Sequence, residues 1–369
     1  MIEKLRELQH QAGGIFGVEP VPLSFGNDDQ SLVAVRQGCA LFDRSHWGLL
    51  QIGGADRLRF LHNQTTNSFY QRQPGEGCDT VFLTATARTL DLVTVYVTDE
   101  MLLLLTSPGQ DQALITWMDR YIFPADRVTL TNLTGRLLAF TLVGPDSEAL
   151  LTKLGVDSPP RERVGDHGLV AIAGETIRLA LGTGLGLVGY TLLVPVAIAA
   201  SAWAQLQQAG AILAGEQVWE QLRVEQGRPL PGAELGEDYN PLEAGLWQTI
   251  AFDKGCYIGQ ETIARLNTYR GVKQQLWGLE LSQPVPTGTP ITLAGEKVGI
   301  LTSMVDRPQG PRGLGYVRTK AGGAGLVVSL ETATAQVVDC PFLARGYLET
   351  EPEAATPPDR PPGSPALTD

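Results

Sequence analysis

The chain has 369 residues, 43% of them hydrophobic, and carries 40 acidic side chains against 28 basic ones for a formal net charge of −12. Its length exceeds a single core of roughly 100 to 200 residues, so two or three packed units are expected. No apolar run approaches the roughly 20 residues that cross a bilayer, and no Lys/Arg cluster supplies the footprint of a nucleic-acid binder. Direct contact with membrane, RNA or DNA is therefore not expected.

Taken in chain order, MIEKLRELQHQ places Ile2, Leu5 and Leu8 on one face of a helix. It mixes acids with bases, unlike a signal or transit peptide, which makes the cytoplasm the default location. From Leu49 to about Val194, strand-like runs (LLQI, VFLTAT, LVTVYVT, MLLLLT, VTLTN, LLAFTLV) alternate with helix-like ones (ADRLRFLHNQ, DQALITWMDRYI, DSEALLTKL), each helix led by an Asp suited to a cap. This is an α+β pattern. Gly184, Gly186 and Gly189 spell GxGxxG, but YTLLVPV follows and predicts a strand where a dinucleotide loop must open a helix. Helical runs recur from Val196 to Ala209 and from Gly215 to Gln226. After Arg270, short strands broken by Gly and Pro (QQLWGLELSQ, KVGILTSMV, GLVVSL, TATAQVV) predict a small separate β-barrel or sandwich. The last segment, from Glu351, has six prolines in nineteen residues, a composition that predicts a disordered tail. The expected division is a body over 1–269, a small β-barrel over 270–347 and a Pro-rich tail over 348–369.

Four cysteines (Cys39, Cys78, Cys256, Cys340) lie far apart without a CxxC. That spacing fits reduced thiols better than a disulfide framework or a ready-made cluster cradle. The four histidines are equally scattered, so no metal site is expected. The most informative stretch is DKGCYIGQET, Asp253 to Thr262. It sets Cys256 two residues after Lys254, between Gly255 and Gly259, ahead of a helix start. An ammonium and a helix N-terminus both favour thiolate, so this spacing suits a reactive cysteine. It equally suits a half-buried cysteine that closes a turn.

KGCYIGQE resembles the motif of the YgfZ family, tetrahydrofolate-binding relatives of the glycine-cleavage T-protein that support iron–sulfur cluster assembly. NPLEAGLWQTIAFDK (Asn240 to Lys254) and LFDRSHWG (Leu41 to Gly48) resemble segments of the wider T-protein superfamily, so the similarity spans roughly Leu41 to Tyr347. The resemblance implies a T-protein-like body of three subdomains around a central folate channel, followed by a small barrel. It implies that Trp47 and Trp219, which match two YgfZ tryptophans, offer aromatic faces to a folate, with Tyr96 and Glu243 as further contacts. Glu225 and Glu243 are further candidate pocket carboxylates, with capping or local pairing, the common role of carboxylates on helical surfaces, as the first reading.

T-proteins carry a GGxxDDLxVY segment whose acid orients the folate amine, and ARTLDLVTVY (Ala87 to Tyr96) matches it with Asp91 on the first acid and Leu92 on the second. The family's YTGEDGxEI acids are matched by Leu187, Val188 and Thr191. If the second acid is the active one, a contribution of about 10²- to 10⁴-fold from a positioned carboxylate is missing. Asp91 remains a fallback, either in the pocket or as a turn or edge residue beside Arg88.

The resemblance therefore implies a tetrahydrofolate-binding accessory protein in iron–sulfur cluster assembly or repair, indirectly serving tRNA modification through cluster enzymes. Cys256 would be the reactive group, Lys254 its activating cation, and Gly255, Tyr257, Gly259, Gln260 and Glu261 its frame. Its partners would be folate and cluster-assembly proteins or client enzymes. The alternatives are an aminomethyltransferase passing a one-carbon unit to tetrahydrofolate and a non-catalytic folate-binding scaffold.

Overall fold

The computed structural model describes residues 1–172 and 174–349. The expected Pro-rich tail lies outside the described residues apart from its first two positions. Two antiparallel-rich sheets stack face to face and form the body. One has five strands in the order Gly77–Leu83, Thr89–Val97, Met101–Pro108, Trp47–Gly53, Thr129–Asn132. The other has six, in the order His167–Ile172, Glu175–Leu181, Gly189–Pro195, Leu137–Val143, Ala40–Asp43, Ile212–Ala214. Only the last pair is parallel.

Three apolar layers explain why the strands read as they do. Leu49, Leu103 and Leu105 of the first sheet meet Phe42, Ala139 and Leu193 of the second in a central core. The opposite faces are covered by helices. Phe60, Leu61, Leu114 and Met118 pack on the five-stranded sheet, and Leu150, Ala202, Trp203 and Leu206 pack on the six-stranded one. Strands buried on both faces lose the apolar-polar alternation and appear as continuous runs such as LLLLT. The expected Asp caps are a correction: Asp56 precedes its helix without capping it, because its carboxylate accepts the Arg127 backbone N–H at 2.9 Å instead.

From Gln274 to Val338 six antiparallel strands close into a barrel, in the order Gln274–Leu281, Arg312–Arg318, Glu296–Val305, Pro290–Leu293, Val327–Leu330, Ala333–Val338. Closure removes sheet edges and encloses Leu279, Ile291, Leu301, Val317 and Val337. The chain then returns to the body. Phe342 N–H donates to the Gln226 carbonyl at 2.9 Å and Ala344 N–H to the Gly245 carbonyl at 2.8 Å. The helix Glu216–Gln226 lies between body and barrel and is bonded to both. Its Arg223 reaches Glu234 at 3.0 Å and Ser303 of the barrel at 2.7 Å.

Candidate ligand cavity and the cysteine loop

A cavity of about 390 Å³ opens where the two sheets meet, within the range of about 300–1,000 Å³ common to small-molecule sites. Strand pleating selects its walls. On Thr89–Val97, Thr94 and Tyr96 face the cavity, joined by Asp79 of the neighbouring strand, while Thr141 and Thr191 face it from the other sheet. Its rim is the segment Arg163–Asp166, which crosses the first strand where Gly165 and Gly77 meet. A Cβ on Gly165 would lie 2.5 Å from the Gly77 carbonyl oxygen.

The expected folate clamp is built differently. Trp47 lines the cavity, but Trp219 stands behind it, only 1% exposed. The two indoles are edge to face at 6.2 Å, and the guanidinium of Arg44 lies over both, 3.6 Å from Trp47 and 3.2 Å from Trp219. An arginine thus occupies the slot between the tryptophans. Arg228 joins them 5.3 Å from Trp47, donating to the carbonyls of Gly184 and Leu92. Tyr96 lines the wall, and burial pushes its phenol up.

Asp91 is neither in the cavity nor at a turn. It shares the strand face of Val93 and Val95, is fully buried, and accepts the Ser107 N–H at 2.9 Å. Burial raises its carboxyl to about 6. Leu92 belongs to the core beneath the barrel. Glu243 also stays out of the cavity lining: it accepts the Asn240 N–H at 3.2 Å and is raised by burial. Glu225 pairs locally with Gln221 and, across 82 residues, with Arg307 next to the barrel strand Glu296–Val305. The GxGxxG glycines lead into the strand Gly189–Pro195, not a helix.

The cysteine motif forms a separate feature. Cys256 is exposed and does not line the cavity, whereas Cys39, Cys78 and Cys340 have thiols raised by burial, the first two to about 11 and about 12. Lys254 turns inward. Its ammonium donates to the carbonyls of His62, Thr65 and Asn67 at 2.5, 2.6 and 2.7 Å and lies 4.6 Å from the Tyr257 ring. Burial draws it down to about 7, against three acceptors that match its three protons. The Ile258 N–H reaches the Asn63 carbonyl and the Ala251 N–H that of Thr66, so the loop is laced to residues 63–67 on both sides. Lys254 thus fastens the loop that carries Cys256. Buried Tyr257 has its phenol pushed up to about 12 by burial.

Gly259 sits at φ +82° against the turn at Thr84, where a Cβ would meet the carbonyl oxygen at 2.8 Å; it starts the helix Gln260–Thr268. Gln260 opens that helix and Glu261 stands exposed in its first turn, where its charge suits the dipole. Gly255 is exposed, with open space around it. Among the described residues no group of three His, Cys, Asp or Glu is placed to hold a metal, and no helix is long and apolar enough to cross a membrane.

Sequence reading missed Arg44, Asp79 and Arg228. Asp79 carried a signal, an acid inside the apolar run GCDTVFL. Arg44 and Arg228 meet through the fold across almost half the chain.

Two stacked sheets with a cavity between them, joined to a closed barrel, define a protein of the glycine-cleavage T-protein fold. The crystal structure of glycine cleavage system aminomethyltransferase T from Bartonella henselae matches with a TM-score of 0.81, over 93% of this chain and 98% of that one, at 22% identity. The model described as the GCVT N-terminal domain matches residues 20–254, and the chain belongs to that family, the family of the aminomethyltransferases. A relative from Arabidopsis thaliana, described as "Putative transferase At1g60990, chloroplastic", is 42% identical over 91% of this chain and 78% of its own length. The aminomethyltransferase of Shouchella clausii is 31% identical over 92% of this chain and 97% of its own length.

Proposed function

We propose that the cavity binds a reduced folate and that the chain acts, in the manner of YgfZ proteins, as an accessory in iron–sulfur cluster assembly or repair. The observation that carries this reading is the position of Cys256, exposed on a loop that Lys254 pins to residues 62–67 and away from the cavity lining. A thiol so placed meets a client protein or cluster component in solvent.

The cavity residues suit a folate. Asp79 is a carboxylate for the amino edge of a pterin, Tyr96 and Trp47 supply aromatic surface, and the arginines suit carboxylates. Folate, when bound, carries one-carbon units. The residues around it orient and enclose it, while Asp91, the one acid of the segment Ala87 to Tyr96, faces the opposite layer. The reading assumes a cytoplasmic setting and clients that include cluster enzymes of tRNA modification.

The test is the activity of a cluster-dependent tRNA-methylthiolating enzyme in cells lacking the gene, rescued by wild type or by Cys256→Ala. Rescue by wild type alone is expected. Equal rescue by both would reduce Cys256 to a structural role.

A second reading is aminomethyl transfer to tetrahydrofolate, favoured by the near full-length match to the Shouchella clausii enzyme and by Asp79 in the cavity wall. Turnover of a lipoylated, aminomethyl-loaded carrier protein with tetrahydrofolate, lost in Asp79→Asn, would establish it in place of the first.

A further inference from the structure

The cavity holds two buried cations with no anion of their own. Arg44 is 2% exposed, and its Nε and Nη2 have no hydrogen-bond partner. The acids around it are engaged elsewhere. Asp43 accepts from Arg6, Gln9 and the Ser45 N–H, and Glu216 lies 3.7 Å from His46. Arg228 is 1% exposed, bonds only to carbonyls, and has an unpartnered Nε. Among the described residues neither guanidinium has a carboxylate within ion-pairing distance, unlike buried Arg223, which has Glu220 and Glu234.

A buried charge without a counter-charge is costly, and removing water from two that share one tryptophan compounds that cost. Contact with both indoles holds the Arg44 guanidinium in place, and its unpartnered Nε and Nη2 are the pair of donors that a guanidinium offers to an oxyanion. The rest of the lining does not neutralise the pair. Arg163 is matched by Glu76 and Asp166, and Arg72 bonds to carbonyls, which leaves Asp79 in the lining and buried Asp91 outside it as the further acids that act on Arg228.

We propose that Arg44 and Arg228 form an oxyanion-recognition subsite inside the cavity, filled by a carboxylate or phosphate group of the ligand. Burial pulls both guanidiniums below their ordinary value, and a bound anion would reverse that pull. The folate reading enters only as the identity of the anion's carrier, its glutamate carboxylates.

The experiment measures binding to the full-length protein by calorimetry with three probes: 5-formyltetrahydrofolate, the carboxylate-free 6-methyltetrahydropterin, and inorganic phosphate. Wild type is compared with Arg44→Gln and Arg44→Lys, with thermal melts as a check on folding. The expected result is that Arg44→Gln weakens 5-formyltetrahydrofolate by about 10- to 100-fold, the scale of a charge-assisted hydrogen bond, with Arg44→Lys intermediate and the pterin unaffected. Wild type should also prefer the folate to the pterin, a comparison that needs no variant. Equal binding of folate and pterin by wild type, or equal weakening of both by Arg44→Gln, would overturn the subsite, as would binding of neither anion. Arg44-dependent binding of phosphate without any folate binding would keep the subsite and remove the folate reading.

Discussion

At the scale of single residues, the consequences follow from what each side chain is denied or given. Asp91 is fully buried with one N–H donor, and its carboxyl is raised to about 6. An unfolded aspartate titrates near about 3.9, so below that pH both states are protonated and the residue carries no ionisation penalty. As pH rises to 6 the unfolded chain ionises first, and stability falls by on the order of 3 kcal/mol before levelling off. Asp91→Asn keeps an acceptor for Ser107 and removes the titration. Thermal melts should show the variant at least as stable as wild type at pH 7, with the gap closing towards pH 4. A gap independent of pH would contradict this account.

Residue-level legibility was uneven for a physical reason. Trp47 and Tyr96 could be marked as cavity residues because one large aromatic side chain in a recognised segment suffices. The slot between Trp47 and Trp219 could not be assigned, since its occupant, Arg44, was hidden in a segment read only for its resemblance. The Lys254 ammonium follows the same rule. Proximity in sequence suggested that it serves Cys256, but its reach of four methylenes takes it to three carbonyls nearly 190 residues away.

At the scale of elements, strand parity decides which side chains can cooperate. The reading VFLTAT, LVTVYVT and MLLLLT found the strands, and period-two alternation then separates Thr94 and Tyr96 from Asp91 and Val95. Burial on both faces erased the usual alternation, which is why the sequence alone left Asp91 open between two places. The helix Glu216–Gln226 shows how elements are locked together. Arg223 and Glu234 are buried, and Glu234 also accepts from Ser303 and Thr302 at 2.6 and 2.7 Å. Arg223→Met strands that carboxylate and should cost about 3–5 kcal/mol, whereas Arg223→Met with Glu234→Leu should recover most of the loss. Urea unfolding checks both. A double variant no better than the single one would place the energy in the packing of the helix and not in the pair.

At the scale of the whole molecule, the body and barrel were foreseen from the change to short strands after Arg270, and the closed order of six strands gives that change its form. What the sequence concealed is the return segment. It is held by backbone hydrogen bonds to Gln226 and Gly245, by Arg345 bonds to Gln275 and the Leu276 carbonyl, and by Cys340, Leu343 and Tyr347 packed on the core beneath the barrel, contacts scattered over a short irregular stretch with no strand or helix period to mark them. Ending the chain after Val338 should uncover Trp247 and the Gly227 region, lower the melting temperature, and split one unfolding transition into two by calorimetry. A single unshifted transition would show that the return segment adds nothing to the coupling.

The return segment has a kinetic meaning as well. Because the polypeptide passes between body and barrel on the way out and again on the way back, the barrel is tethered at two points and cannot swing away as a lid. Traffic into the cavity is left to its rim, where Val164 projects at 75% exposure beside the tightly crossed Gly77 and Gly165. For the proposed ligand, residence time is expected to depend on this four-residue stretch at the doorway, separate from Arg44 and Arg228 and from the loop that carries the thiol.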